Sequence, residues 1–93
     1  MYFTHDGHTI EIFSDNIDEL ARAQKFQLIN VVGVSSKFIK FVFEAELDGD
    51  SIEIEAIYGQ NNYLDDVRPT DKYDEDLFYE NFSHKDFEKV IIK

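Results

Sequence analysis

The chain has 93 residues, twenty acids against nine Lys and Arg, and no cysteine. That length supports one domain with a single modest core, and a net charge of −11 repels nucleic acid and anionic lipid. Without cysteine there is no disulfide, no thiolate nucleophile and no cysteine-based zinc site. The first residues have neither a basic n-region nor an apolar h-region, and no run approaches the roughly 18 apolar residues of a membrane span, so a soluble, cytoplasmic protein is expected.

Tyr2 to Phe13 reads as a hairpin turning at Asp6-Gly7, with Phe3, Ile10 and Ile12 on one face. His5 and His8 would oppose each other beside that turn. Two histidines across a hairpin need a third ligand to hold a metal, and nothing nearby in sequence supplies one, so no metal is assigned. Ser14, Asp15 and Asn16 offer helix caps, and Asn16 with Glu19 resembles a capping box. A helix over 17–32 would align Ile17, Leu20, Ala21, Leu28, Val31 and Val32, end at Gly33, and turn Phe26 outward. The β-branched stretch 26–34 leaves a strand open as the alternative.

The central stretch, Lys37 to Ile57, predicts a second hairpin around Asp48-Gly49. A two-residue turn there pairs Leu47 with Asp50, Ala45 with Ile52, Phe43 with Ile54 and Phe41 with Ala56. Ile39, Phe41, Phe43, Ala45, Leu47, Ile52, Ile54 and Ala56 then form an apolar face. The other face carries Phe38, Lys40, Val42, Glu44 and Glu46 beside Ser51, Glu53 and Glu55. Glu44 falls directly opposite Glu53, and like charges so placed are destabilising. Folding does not require that pair, which makes it the main clue to function.

Gly59 to Tyr73 has no sustained period and contains the only proline, Pro69; a short edge strand over 63–67 is expected within it. From Asp74 the chain reads as one interrupted helix or two short ones, with Leu77, Phe78 and Phe82 inward and Tyr79 and Glu80 outward. Ser83 with Asp86 gives a second capping signal, and residues 88–92 suit either a helix end or an edge strand. The expected fold is α+β in a single domain over 1–93: a small antiparallel sheet of two Asp-Gly hairpins packed against one to three helices, the first of them near 17–32.

Charge is unevenly spread along the chain. Residues 44–80 hold thirteen of the twenty acids and two of the nine bases, which is the whole excess of −11; the remainder carries seven of each sign. Along a strand, residues two apart lie about 6.7 Å apart, so Glu44 and Glu46 beside Glu53 and Glu55 make two rows of regularly spaced negative charge. Asp65, Asp66, Asp71, Asp74, Glu75, Asp76 and Glu80 would extend that field. Tyr58, Tyr63, Tyr73 and Tyr79 lie among the acids and would add rigid contact area.

No catalytic constellation is found in the sequence. The carboxylates fall on a face open to water rather than in an apolar cleft, His84 has no evident triad partners, and Asp48-Gly49-Asp50-Ser51 lacks the further ligands of a calcium loop. No catalytic residue or cofactor is therefore expected. In size, lack of cysteine and acidic-aromatic segments, notably Asp71 to Phe82, DKYDEDLFYENF, the chain resembles the small acidic phage-encoded inhibitors, which include DNA-mimic anti-restriction proteins and several anti-CRISPR proteins. The resemblance covers about a third of the chain and implies a mode of action: blocking a nucleic-acid-binding protein by occupying its basic groove, without direct contact to nucleic acid or membrane. The residues expected to do so are Glu44, Glu46, Glu53, Glu55, Asp65, Asp66, Asp71, Asp74, Glu75, Asp76, Tyr79 and Glu80. Several such inhibitors are dimers, which leaves a homodimer open. The alternative is a phage-type structural or assembly module making apolar contacts through Phe26, Phe38 and exposed tyrosines. An immunity protein against a basic nuclease lies between the two.

Overall fold

The computed structural model describes residues 1–59 and 61–92. Seven strands and two helices follow one another as β1 (Tyr2–His5), β2 (His8–Ile12), α1 (Asp15–Arg22), β3 (Phe26–Gly33), β4 (Ile39–Leu47), β5 (Asp50–Tyr58), β6 (Leu64–Pro69), α2 (Glu75–Asn81) and β7 (Val90–Ile92). Single 3₁₀ turns over Lys72–Asp74 and His84–Phe87 flank α2. The fold is α+β, with two antiparallel sheets in the orders β1-β2-β7 and β3-β4-β5-β6. Both Asp-Gly hairpins form, but in separate sheets rather than one.

Each hairpin closes because Asp and Gly both take positive φ, 46° and 81° at Asp6-Gly7 and 51° and 86° at Asp48-Gly49. The central register is Leu47↔Asp50, Ala45↔Ile52, Phe43↔Ile54 and Phe41↔Ala56, with Glu44↔Glu53 between them. The first hairpin pairs Phe3 with Ile10 and His5 with His8. The expected edge strand after the central hairpin is β6, which pairs with β5 from Leu64 to Pro69. β7 is the edge-strand outcome for the chain end and pairs with β2. Gln60 of the connecting loop and Lys93 of the last segment lie outside the described residues.

The helix expected over 17–32 is corrected: α1 ends at Arg22, and residues 26–33 are β3. Gln24 takes φ 59°, its N–H donating to Ala21 O at 3.0 Å while Lys25 N–H donates to Leu20 O at 2.8 Å. This is a Schellman close with Gln where Gly is usual, so the stop carries no glycine to announce it. The N-cap is Ser14, whose Oγ accepts from Ile17 N at 3.3 Å. Asn16 instead donates to Asn81 O at 2.8 Å and ties α1 to α2. Phe26, expected outward on a helix, starts β3 opposite Ala45 and is 4% exposed.

The core lies between the sheets and the helical segments. Phe26 packs against Phe43 with ring centroids 5.0 Å apart, and Phe3, Phe82 and Phe87 surround this pair at 5.8 to 6.3 Å. The sheets also meet at their margins. Leu64 N–H donates to Glu88 O at 3.0 Å and Val90 N–H to Asn62 O at 3.1 Å, on either side of a bridge between Tyr63 and Lys89. Tyr58 continues the apolar face of β5 and is fully buried; its hydroxyl donates to Phe87 O at 2.7 Å. Burial pushes its phenol far above the usual tyrosine range. The expectation that Tyr58 belongs to an exposed surface is thereby corrected, because strand alternation from Phe41 and Ala56 sends it inward.

Candidate functional site

With the Phe-lined face of β3-β4-β5-β6 turned to the core, the opposite face is left to solvent, and its side chains follow from register. Across the sheet the outward rows are Val32, Lys40, Ile57 and Asp66, then Asn30, Val42, Glu55 and Arg68, then Gln27, Glu44 and Glu53. Glu46 and Ser51 follow, next to the Asp48-Gly49 turn.

The predicted rows of carboxylates are present in register, but their charge is not uniform. Glu55 is largely enclosed and sits between two cations, Lys40 Nζ at 3.6 Å and Arg68 Nε at 3.4 Å. Arg68 also reaches Asp66 Oδ2 at 3.3 Å. Arg68 was missed as a member of this surface in the sequence; its place in an alternating run, Asp66-Val67-Arg68-Pro69, was the available signal. Toward the hairpin tip no such neutralisation occurs among the described residues. Glu44 accepts a long hydrogen bond from Gln27 Nε2 at 3.4 Å, a neutral donor. Glu46 and Glu53 are exposed, as are Asp48 and Asp50 in and beside the turn. The pairing of Glu44 with Glu53 is thus retained without a cation in between.

The remaining expected residues divide by position. Thr70 N–H donates to Glu53 O at 2.9 Å, so the chain leaves β6 at the tip end and delivers Asp71 there. Asp71 caps the following turn by accepting from Tyr73 N at 2.9 Å. Asp74 is half-buried at the start of α2, with Glu75 and Asp76 exposed in its first turn. Phe78 anchors α2 in the core on the inner side of the sheet, leaving Tyr79 and Glu80 exposed on a different side from Glu44. Asp65 and Asp66 lie at the far end of β6, near Ile57 and Tyr58. The structure therefore gathers Glu44, Glu46, Glu53 and Asp71 at one end and separates Asp65, Asp66, Tyr79 and Glu80 from them. Tyr73 is 85% exposed beside this acidic end, with Lys72 Nζ 5.7 Å from its ring.

His5 lies opposite His8 as expected, with Nε2 at 3.4 Å from Asp6 Oδ2. Among the described residues no three His, Asp or Glu side chains come together as a metal cluster. His84 faces an open depression with Leu64, Lys85 and Glu88. No helix among the described residues is long and apolar enough to cross a membrane. No family model matches the chain, and no curated protein or solved structure matches it.

Proposed function

We propose that this is a non-enzymatic acidic binding protein that inhibits a nucleic-acid-binding protein, a defence nuclease or one of similar type, by occupying its basic groove in the manner of a DNA mimic. The observation that carries the reading is the register pair Glu44↔Glu53, kept on an open sheet face with Gln27 beside it and no cation paired to it among the described residues. A few ångströms along the same face, Glu55 is held between Lys40 and Arg68. The fold thus neutralises a carboxylate where cations are at hand and leaves a like-charge pair at the tip, where it costs stability.

A groove built to hold phosphates with Lys and Arg would complement Glu44, Glu46, Glu53 and Asp71, with Tyr73 as a rigid contact. In this reading the anionic surface meets protein, not nucleic acid or membrane, and the protein acts in the cytoplasm of a host cell as a phage-type inhibitor. The test is affinity capture from host lysate at low and high salt, with a Glu44→Lys/Glu53→Lys double variant as control. Capture of a basic nucleic-acid-binding protein that is lost both in salt and in the variant is the expected result. Capture that ignores both changes overturns the proposal and moves the contact to the apolar end of the sheet, where Val32, Val34 and Phe38 are exposed. That end is the one observation in favour of an assembly module.

A further inference from the structure

The two edges of the four-stranded sheet are built differently. β6 carries Asp65, Asp66 and Arg68 and ends at Pro69, which has no N–H to offer. Charge and proline are common protections of an exposed edge against pairing with another chain. β3, with the sequence FQLINVVG, has no charged residue and no proline in a chain whose net charge is −11. The start of this strand is shielded by β1, since Phe26 packs on Phe3 with ring centroids 5.8 Å apart. Its end is open: Val32 is 36% and the following Val34 54% exposed.

Alternation of hydrogen bonds identifies the backbone groups left at that edge. β3 shifts register by one residue at a bulge between Leu28 and Asn30; beyond it the pairing runs unbroken from Asn30 to Gly33 and Val34 N–H donates to Phe38 O at 3.1 Å, so Val32 and Val34 point their backbone groups toward β4. Val31 and Gly33 point theirs away from β4. The Val31 N–H is held by the side chain of its own neighbour, Asn30 Oδ1, at 2.9 Å. A Cβ placed on Gly33 would meet nothing within 4 Å, so no other side chain packs over the sheet face at this position.

We propose that this edge is a two-fold self-association site, where β3 of a second copy pairs antiparallel through Val31–Gly33 and extends the sheet from four strands to eight. With the axis at Val32, Val31 of each copy exchanges N–H and C=O bonds with Gly33 of the other, Asn30 releasing the Val31 N–H to do so. The charge layout selects a second copy as the occupant. β3 begins at the acidic end of the sheet and finishes at the apolar end, so antiparallel pairing sends the two acidic tips to opposite ends of the dimer. Valines rather than carboxylates then meet at the axis. Lys40, the charged neighbour of Val32 on β4, is already engaged by Glu55 at 3.6 Å. Two-fold dimers are also the commonest closed assembly, and pairing the two β3 edges leaves the defended β6 as the outer edge of each four-stranded sheet.

This inference is independent of the groove-binding reading and has the opposite salt dependence. Screening relieves repulsion between two copies that each carry −11, so dimerisation strengthens with salt, whereas capture by a basic groove weakens. Sedimentation equilibrium of the purified chain over a concentration series, at low and high salt, should give a monomer–dimer equilibrium tightened by salt. Val32→Lys places like charges against each other at the axis and should raise the dissociation constant by about a hundredfold. The absence of native cysteine allows a direct proximity test. At a directly opposed, non-hydrogen-bonded antiparallel position the Cα atoms lie about 4.5 Å apart, within disulfide range. Val32→Cys should therefore form a disulfide-linked dimer at least about tenfold faster than the exposed β6 control Asp65→Cys at equal concentration, tenfold being about 1.4 kcal/mol of proximity. A strictly monomeric wild type, a dimer unaffected by Val32→Lys, or equal crosslinking of the two cysteine variants would each overturn the proposal.

Discussion

The inner and outer faces of the four-stranded sheet share a backbone and differ in what folding requires of them. On the inner face, Phe41, Phe43, Ala45, Ile52, Ile54, Ala56 and Tyr58 are buried, and the rings of Phe26 and Phe87 pack against Phe43. On the outer face, the row through Glu55 has its cations and the row through Glu44 and Glu53 has none among the described residues. The inner face is determined by stability. The outer face contains an arrangement that stability alone disfavours, and that contrast is the reason to look there for function.

The largest effect is expected from breaking the inner face. Phe43→Ala or Phe87→Ala removes a fully buried ring and should cost about 3–5 kcal/mol, read from the midpoint of urea unfolding. For a domain of this size that is a large share of the total, typically about 5–15 kcal/mol. A loss below about 1 kcal/mol would mean that the ring is not packed as described.

Tyr58 gives the next effect, and its sign follows from the raised phenol. In the unfolded chain tyrosine loses its proton near pH 10, while in the folded protein burial keeps Tyr58 protonated beyond that. The folded state then binds more protons, so stability is intact below about pH 10 and falls by about 1.4 kcal/mol per pH unit above it. Tyr58→Phe loses the hydrogen bond to Phe87 O, at about 1 kcal/mol, and should flatten the alkaline slope by about one proton. An unchanged slope would place the titration elsewhere.

Changes on the outer face should act weakly on stability and in a direction that sharpens the contrast. Glu44→Gln or Glu53→Gln removes the like-charge opposition and should stabilise by a few tenths of a kcal/mol, up to about 1, at low salt. Destabilisation by either variant would show that these carboxylates serve the fold. Glu55→Gln should be smaller still and opposite in sign, a loss of about 0–1 kcal/mol, since its partners are near the surface. Thermal unfolding of the three variants in one buffer would rank them.

Much of the fold was legible because its signals are local. Asp6-Gly7 and Asp48-Gly49 specify hairpins through φ at two residues, and once the turn is set, alternation pairs Glu44 with Glu53 without further information. The Ser83 and Asp86 capping box forms as read, with Ser83 N–H donating to Asp86 Oδ2 at 2.9 Å. The stretch after α1 was less legible, because Leu28, Val31 and Val32 satisfy a helical stripe and a strand equally. The choice was made by β4, whose open side pairs with β3 across a bulge between Leu28 and Asn30, and by Gln24 accepting a left-handed conformation.

The sequence by itself determined the two turns, the register of the central hairpin, the division of its residues into an apolar and a charged face, and the concentration of negative charge in residues 44–80. Those properties depend on residues near one another along the chain and on the two-residue period of a strand. Only the tertiary structure decided that Arg68 and Lys40 hold Glu55, that Asp71 joins the tip while Asp65 and Asp66 lie at the other end, and that β3 is left as an uncharged edge. Each of these depends on which strands become neighbours. That is settled by burial of the Phe core across long sequence separations, which no local pattern records.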